Sequence, residues 1–345
     1  MVTNRPPAAT RLHRHSLTRV MVLDDFQVMF LPIPKSGCTS ILWTLAELAG
    51  LDRERFRDSH IHEVSRAMAV HDTGLWEPEH RWKSHNADQQ DKILSHPEWL
   101  RFSVVRDPAP RLWSAWQSKI LLNEPRFVER FAEEPWFPRR PASLDEVVSM
   151  FRAFVHSLDG DPDQTPHDAH WGPQAQLMDG FNLNFVGRSE QMSQTLERLG
   201  AHLGARAEMT TDVPRENAAP IPYHRAVYDA ETAEIVNSLY SEDFRQFDYE
   251  PLGDHGFEGR EHWASHASQR VFVANELADR HLRIGELLAA LNRSEAGENL
   301  RVSRLEQQVR ELSRVSTEAD DRLKAIEQSR SWRLTRPLRA LRRPH

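Results

Sequence analysis

Short apolar runs alternate with amphipathic segments over the first 250 residues of the chain. Val28–Ile33, Phe102–Val105 and Asn184–Val186 have the length and composition of buried strands. Apolar residues at helical spacing predict four helices among and behind these runs, at 41–50, 109–122, 144–157 and 189–203. Strands that alternate with helices predict an α/β fold with a mostly parallel central sheet.

A different pattern begins near residue 265. Apolar residues recur at the a and d positions of a heptad from Ala274 to Ile326, with a polar interruption at Glu295 and Glu298. This repeat predicts a long helix with coiled-coil character, which either pairs with a second copy of the chain or folds back onto the body. A lone amphipathic helix packed on its own domain is the alternative. We therefore divide the chain into a flexible arm, an α/β domain, a helical coiled-coil extension and a basic tail, at 1–19, 20–265, 266–328 and 329–345.

Composition narrows the possible functions. The 345 residues include 44 Lys and Arg against 51 Asp and Glu, for a formal net charge of −7. This balance argues against nucleic acid as a partner, because neutralising phosphates needs clustered cations. Cys38 is the single cysteine of the sequence, which excludes an intramolecular disulfide and a cysteine-rich metal site. With neither a secretory signal nor an apolar run of membrane-spanning length, the sequence predicts a soluble protein of a reducing compartment.

The segment Pro-Lys-Ser-Gly-Cys-Thr-Ser stands between the first predicted strand and the first predicted helix, at residues 34–40. An anion at this turn would meet backbone amides, the positive end of the helix, the Lys35 ammonium and neighbouring hydroxyls. The segment is not a Walker A sequence, because Lys35 precedes the glycine. A plain strand-to-helix turn with a solvated lysine is the alternative.

A second segment, Arg-Asp-Pro-Ala-Pro-Arg-Leu-Trp-Ser, begins where the second predicted strand ends. Ser114 lies eight residues after Arg106, inside the following helix. A planar guanidinium and a hydroxyl that converge from one strand–helix corner suit a phosphate monoester. The alternative is structural: Arg106 pairs with Asp107, or Arg111 caps a helix.

Together the two segments resemble the carbohydrate sulfotransferases, which use 3′-phosphoadenosine 5′-phosphosulfate (PAPS) as sulfuryl donor. Asp168–Gln174 resembles the D-x-H-W-x-P-Q segment of the branch that contains the HNK-1 and chondroitin 4-O-sulfotransferases. Asn184–Glu190 and Tyr240–Tyr249 resemble that branch's F-[IV]-G-[KR]-x-E and Y-x-x-D-F-x-x-F-x-Y segments. The resemblance covers about residues 26–250 and implies the sulfotransferase fold, with a P-loop-like 5′-phosphosulfate loop.

The resemblance also implies roles for single residues. Lys35 would contact the phosphosulfate and offset the charge on the bridging oxygen as the sulfuryl group leaves. Arg106 and Ser114 would hold the 3′-phosphate, with Arg111 a weaker candidate. Backbone and hydroxyl donors of the phosphosulfate loop would come from Ser36, Gly37, Cys38, Thr39 and Ser40. The family needs no metal ion, and none is expected here.

The acceptor hydroxyl needs a base, and histidine titrates in the right range. His85 ranks first, because it lies 21 residues before Arg106, close to the spacing of the catalytic histidine in the related uronyl 2-O-sulfotransferases. His170, inside the Asp168–Gln174 segment, ranks second and His80 third. Each of them would alternatively be a surface histidine.

The sequence differs from the animal carbohydrate sulfotransferases in features that predict its source and cellular location. Those enzymes are Golgi membrane proteins with an N-terminal anchor and several cysteines, so this chain is expected to be bacterial and cytoplasmic. Its acceptor would be a bacterial surface or secreted glycan, or a glycolipid. Residues 329–345 carry six Arg and no acid and resemble the ending of bacterial surface-glycan enzymes. This tail suits peripheral contact with an anionic inner membrane face or a partner, and a disordered basic end is the alternative.

Two functions from other classes stay open at this point. One is a nucleotide-dependent kinase built on the same sheet topology. The other is a non-catalytic adaptor that works through the coiled coil and the tail, with a vestigial nucleotide site.

Overall fold

The computed structural model describes residues 18–59, 66–160, 167–206, 219–294 and 299–328. Residues 1–17 of the predicted arm, the basic tail at 329–345 and the polar interruption at Glu295 and Glu298 lie outside the described residues. The membrane or partner contact expected of the tail therefore stays a prediction.

A four-stranded sheet forms the centre of the described fold. Its strands, in spatial as well as chain order, are β1 (Met21–Leu23), β2 (Val28–Leu31), β3 (Leu100–Val105) and β4 (Phe185–Arg188). β2, β3 and β4 run parallel to one another, whereas β1 pairs with β2 in antiparallel fashion. The predicted α/β fold with a mostly parallel sheet is therefore confirmed. The sequence missed β1, because three residues are too few to show a strand pattern.

Both faces of the sheet are buried around β2, because alternate residues of this strand enter different cores. Val28 and Phe30 of β2 pack into a core with the helices of one face, and the rings of Phe30 and Phe102 lie 4.8 Å apart. Met29 and Leu31 pack into the core of the other face. This arrangement explains why the strands read as continuous apolar runs.

The helices of the α/β domain lie between and behind the strands. Their bounds are α1 (Cys38–Leu48), α2 (Ala87–Ser95), α3 (Pro108–Trp116), α4 (Pro125–Phe131), α5 (Leu144–Ser157), α6 (Gln174–Met178), α7 (Met192–Leu203), α8 (Ala230–Leu239) and α9 (Ser241–Phe247). At the start of α5 the Ser143 hydroxyl accepts a hydrogen bond from the Glu146 amide at 3.2 Å, as an N-cap does. Short 3₁₀ turns, including one at Arg66–His71, occupy much of the polar region between β2 and β3.

The predicted helix at 109–122 has two parts. After α3 the chain continues as a π-helical turn, Gln117–Leu121, before α4 begins. Single π turns are rare and often mark functional sites, because the extra residue redirects the side chains that follow. Here Ser118 and Lys119 of the turn line the same cavity as Ser114, which is described below.

Two long helices follow the α/β domain: α10 (Arg260–Ser294) and α11 (Asn299–Gln328). They pack against each other, and α10 also packs on α4 and α5. Ala267, Val271 and Ala274 of α10 belong to the same core as the α/β domain's Trp113 and Phe151. The repeat thus folds back onto the body, whereas pairing with a second copy and the boundary at 265 stay predictions. Of the described helices, none combines the length and the apolar character needed to cross a bilayer.

Candidate active site

A cavity of about 790 Å³ opens where the three parallel strands end. Segments that follow the carboxyl ends of β2, β3 and β4 line it, and ligands of open α/β sheets bind at this edge. The cavity brings together most of the candidate residues of the two sequence segments, and His170 as well. These are Lys35, Gly37, Cys38, Thr39, Ser40, Arg106, Ser114 and His170.

The loop at residues 34–40 has an unusual backbone. Lys35 and Gly37 both adopt left-handed conformations, with φ of 68° and 84°. For a lysine this conformation costs about 1–2 kcal/mol, so the surrounding structure must impose it. Gly37 is the N-cap residue of α1, whose first amides therefore border the cavity. Burial raises the pKa of the Cys38 thiol, although Lys35 acts against this shift, so the thiol stays neutral at this turn.

The second corner lies beside the first. Arg106 directly follows β3, and its Nη1 donates a hydrogen bond to the Lys35 carbonyl at 3.4 Å. Asp107 caps α3, with its carboxylate accepting from the Ala109 amide at 2.9 Å. Ser114, which is buried, lines the cavity from the second turn of the same helix.

Gln174 connects the two corners from the start of α6. Its buried side-chain oxygen accepts hydrogen bonds from the Ser36 hydroxyl at 3.1 Å and the Arg106 amide at 3.0 Å. Its amide group donates to the Arg106 carbonyl at 2.8 Å and to Asp243 at 3.3 Å. Asp243 in turn accepts from the backbone amides of Gln174 and Ala175, both at 2.8 Å. One side chain therefore sets the distance between the loop at residues 34–40 and the end of β3. Ser36 takes part in this bridge and lies outside the described cavity lining.

Arg111 is buried beneath the loop, outside the described cavity lining. Its guanidinium donates to three carbonyls: Pro34 at 3.0 Å, Gly172 at 2.9 Å and Ala169 at 3.0 Å. Burial lowers its pKa, and nearby Tyr240 and Asp243 act against that shift. These bonds hold backbone segments together, so the structure does not bring Arg111 to a position where it would bind the 3′-phosphate.

His170 and Asp168 form an oriented pair at the cavity wall. The His170 Nδ1 lies 2.5 Å from an Asp168 oxygen, and Arg130 donates to the other oxygen of that carboxylate at 3.0 Å. The charge of His170 and its hydrogen bonds hold the pKa of Asp168 well below its usual range, despite burial. Because Nδ1 faces the Asp168 carboxylate, Nε2 is the ring nitrogen left for an exchange of a proton with another group. Phe127 packs edge-on against the ring at 5.5 Å.

His85, ranked first from the sequence, lies elsewhere in the structure. It is buried, with Nδ1 3.1 Å from the Arg81 carbonyl and Nε2 3.2 Å from the Asp24 carboxylate. Both ring nitrogens thus face oxygen atoms that accept hydrogen bonds, outside the described lining of the cavity. His80 packs against Trp76 at 6.2 Å, also outside that lining. The structure brings neither histidine to the loop.

His71 was not predicted from the sequence. It is buried, lines the cavity and lies with Nε2 3.0 Å from the Thr39 hydroxyl of the loop. The 3₁₀ turn that carries it packs on α1. Only this packing identifies the residue, because the sequence around it shows no pattern that marks a site.

Two carboxyl groups meet at the end of β4. Glu190 lines the cavity, and its oxygens accept from the Asp107 amide at 3.1 Å and the Tyr249 hydroxyl at 2.9 Å. Burial raises the pKa of Asp107 to about 6, helped by the charge of Glu190 and opposed by the Ala109 amide and Arg106. Asp107 therefore titrates close to neutral pH. Among the described residues, no group of three His, Cys, Asp or Glu is placed to hold a metal ion, and the expected metal independence stays a prediction.

The comparisons with known proteins agree with this geometry. A family model described as "Sulfotransferase family" matches residues 18–250, which is more than half of the sequence. The chain therefore belongs to the sulfotransferase family, and the resemblance stated from the motifs is confirmed.

Curated relatives are similar to the chain at low identity. Human carbohydrate sulfotransferase 9 is 22% identical over 250 residues, covering 68% of this chain and 54% of that protein. Carbohydrate sulfotransferase 10 of Xenopus laevis is 25% identical over 268 residues, covering 70% of each. Carbohydrate sulfotransferase 12 of Mus musculus is 26% identical over 209 residues, covering 54% of this chain and 48% of that protein. The chain thus spans about half the length of two of these relatives. No solved structure matches it significantly.

Proposed function

We propose that this protein transfers a sulfuryl group from PAPS to a hydroxyl group of a carbohydrate. The observation that carries the proposal is the shared cavity of Lys35, Arg106 and Ser114. Two anion-binding corners from separate strands suit a nucleotide with phosphate groups at both ends. The carbohydrate acceptor rests on the names of the relatives, each of which is a carbohydrate sulfotransferase.

In this proposal each corner holds one end of the donor. Arg106 and Ser114 bind the 3′-phosphate, while Lys35 and the first amides of α1 bind the 5′-phosphosulfate. Thr39 and Ser40 add hydroxyl donors, and His71 orients the Thr39 hydroxyl. Gly37 and Cys38 contribute through the backbone.

The transfer requires one bond to break and one to form. The Nε2 atom of His170 accepts the proton of the acceptor hydroxyl while its oxygen bonds to sulfur. The bond between sulfur and the bridging oxygen breaks, and the Lys35 ammonium offsets the charge that develops on that oxygen. Adenosine 3′,5′-bisphosphate is then released. Positioning and electrostatic stabilisation supply most of the catalysis, as in phosphoryl transfer.

The wider setting is also part of the proposal. The acceptor would be a bacterial surface or secreted glycan, or a glycolipid, modified in the cytoplasm at the inner membrane face. Membrane contact through the basic tail and a homo-oligomer through the helical extension remain predictions from the sequence.

Isothermal titration with adenosine 3′,5′-bisphosphate, and separately with ATP and Mg²⁺, tests the nucleotide site. We expect the bisphosphate to bind and ATP to bind far more weakly. A preference for ATP would favour the kinase and contradict the proposal.

Transfer of labelled sulfate from PAPS to a panel of glycans tests the reaction. Lys35→Ala should lower kcat/KM by about a hundredfold to a thousandfold, the usual effect of losing a group that stabilises developing charge. Lys83→Ala is the matched control, because Lys83 is exposed and lies outside the described cavity lining. Loss of transfer in Lys35→Ala with the fold kept would count against the adaptor, whereas unchanged cellular function of that variant would favour it.

A further inference from the structure

The last helix of the described fold contributes to the cavity wall. Ser316 and Asp320 of α11 line the cavity together with residues of the two sequence segments. The family model ends at residue 250, whereas the first of the two long helices begins at Arg260. This part of the wall therefore comes from a region of the chain that the family match does not include.

The helix α11 meets the 3₁₀ turn Arg66–His71 at the cavity. It packs on this turn as well as on α10. Ser316 is buried, although it is polar, and it lies one helical turn from Asp320 on the same face of α11. Met68 and His71 of the turn line the same cavity. The helix and the turn thus form neighbouring parts of one wall.

The turn contacts the loop at residues 34–40 through a single hydroxyl group. The Thr39 hydroxyl lies 3.6 Å from the Met68 sulfur and 3.0 Å from the Nε2 atom of His71. Because a hydrogen bond is lost beyond about 3.5 Å, a shift of the turn by about 0.5 Å would release this hydroxyl. The orientation of Thr39 therefore depends on how firmly the turn is held.

The turn needs tertiary contacts to keep its shape. It spans 6 residues, which is longer than the usual 3₁₀ run of about 3–4. On one side α1 holds it, where the Ala67 carbonyl accepts a hydrogen bond from the Trp43 indole at 3.0 Å. From another side α11 packs on it, and α11 is itself supported by α10, whose Val271 and Ala274 belong to the core of the α/β domain. A line of packed elements thus connects that core to the turn.

We propose that α11 is a positioning element of the donor site: it supports the turn Arg66–His71, and the turn fixes the Thr39 hydroxyl for the 5′-phosphosulfate. The inference rests on the proposed function, because it assumes that the loop at residues 34–40 binds the donor. The influence of α11 on the donor passes through the turn and Thr39. Coupling of this kind is reciprocal, so a bound nucleotide also holds α11 more firmly.

Interrupting α11 at an exposed position tests this support. Arg314 is exposed and pairs with Glu311 and Glu318 of the same helix. Arg314→Pro breaks the helix two residues before Ser316. Titration calorimetry should then show about tenfold weaker binding of adenosine 3′,5′-bisphosphate, the effect of losing one hydrogen bond to a charged group. Arg314→Ala is the matched control, because it removes the same ion pairs and keeps the helix, so its affinity should stay within about twofold of the parent.

A second background shows whether the effect passes through Thr39. Thr39→Val keeps the shape of the side chain and removes the hydroxyl that Met68 and His71 contact. In this background Arg314→Pro should change bisphosphate affinity by less than about twofold, because the contact that it disturbs is already missing. A tenfold loss in both backgrounds would overturn the inference. So would an unchanged affinity of Arg314→Pro in the parent background, or an equal loss in Arg314→Ala.

Hydrogen exchange gives a test that does not depend on the folding of the proline variant. Adenosine 3′,5′-bisphosphate should slow amide exchange in α11 of the parent by up to about tenfold, the same factor as the loss of affinity, and should leave α11 of Thr39→Val unchanged. The control helix is α2, because it lies outside the described cavity lining and reports only overall stabilisation. Unchanged exchange in α11 of the parent, or equal slowing in α2, would overturn the inference. A parent chain that does not bind the bisphosphate would instead remove the proposed function itself.

Discussion

Gln174 offers the sharpest test of how this site is held together. Its side chain clamps both backbone groups of Arg106 and also reaches the Ser36 hydroxyl. Gln174→Ala would leave the N–H and C=O of the half-buried Arg106 without these partners. At about 1–3 kcal/mol for each unsatisfied group, the free energy of unfolding should fall by roughly 2–6 kcal/mol.

The effect on binding should be separate from this loss of stability. Without the clamp, the end of β3 no longer holds the Arg106 guanidinium at a set distance from Lys35. Losing one well-placed charged contact weakens binding by about 10-fold to 100-fold. Titration calorimetry with adenosine 3′,5′-bisphosphate, at a temperature where the variant is folded, measures this change, and thermal denaturation measures the stability.

Asn237 provides a matched control elsewhere in the fold. It clamps the N–H and C=O of a single residue, Leu252, at 2.8 and 2.9 Å, outside the described cavity lining. Asn237→Ala should lower stability and leave bisphosphate affinity within about twofold of the parent. If Gln174→Ala loses stability in the same way but keeps the parent's affinity, the reasoning is refuted.

Gln174→Glu refines the same test. The carboxylate keeps the acceptor for the Arg106 amide but loses the donor and faces Asp243. The neighbouring charge should raise the pKa of the new carboxyl group, and its protonated form can donate as the native amide does. Bisphosphate affinity relative to the parent should therefore recover as the pH falls through about 6. Equal relative affinity at all pH values would contradict this account.

Three further results are expected. His170→Ala should lower kcat by about 10²-fold to 10⁴-fold and remove the acidic limb of the pH–kcat profile. Asp168→Asn should lower kcat less, because it removes only the group that orients the His170 ring. A pH–kcat profile that is unchanged in His170→Ala would exclude His170 as the base. His85→Ala should cost about 1 kcal/mol of stability in thermal denaturation and leave kcat nearly unchanged, so a large loss of kcat would restore His85 as the base. Asp107→Asn should raise the melting temperature above pH 6 and have little effect on it near pH 4. The reason is that a carboxyl group whose pKa is raised to about 6 in the folded state destabilises the fold once it ionises. Asparagine avoids this cost and still caps the helix. A melting temperature that differs equally at both pH values would contradict the assigned pKa shift.

The sequence by itself determined the two strand–loop–helix corners of the candidate site. Each is a strand, a short loop and the start of a helix, so its geometry depends on neighbouring residues such as Lys35 and Gly37. The same local order predicted the parallel strands and the helices behind them. Local patterns are sufficient here because a strand that ends before a helix start leaves few ways to place the loop between them.

Tertiary structure alone decided which residues meet at those corners. Gln174 lies 138 residues from Ser36, and His71 lies 32 residues from Thr39. His85 and His170 have equally suitable chemistry, and packing placed only one of them at the cavity. The wall built by α11 likewise depends on how the last helix folds back onto the body. Such contacts arise because whole helices are buried against a shared core. A short stretch of sequence does not show which distant side chains this burial places next to each other.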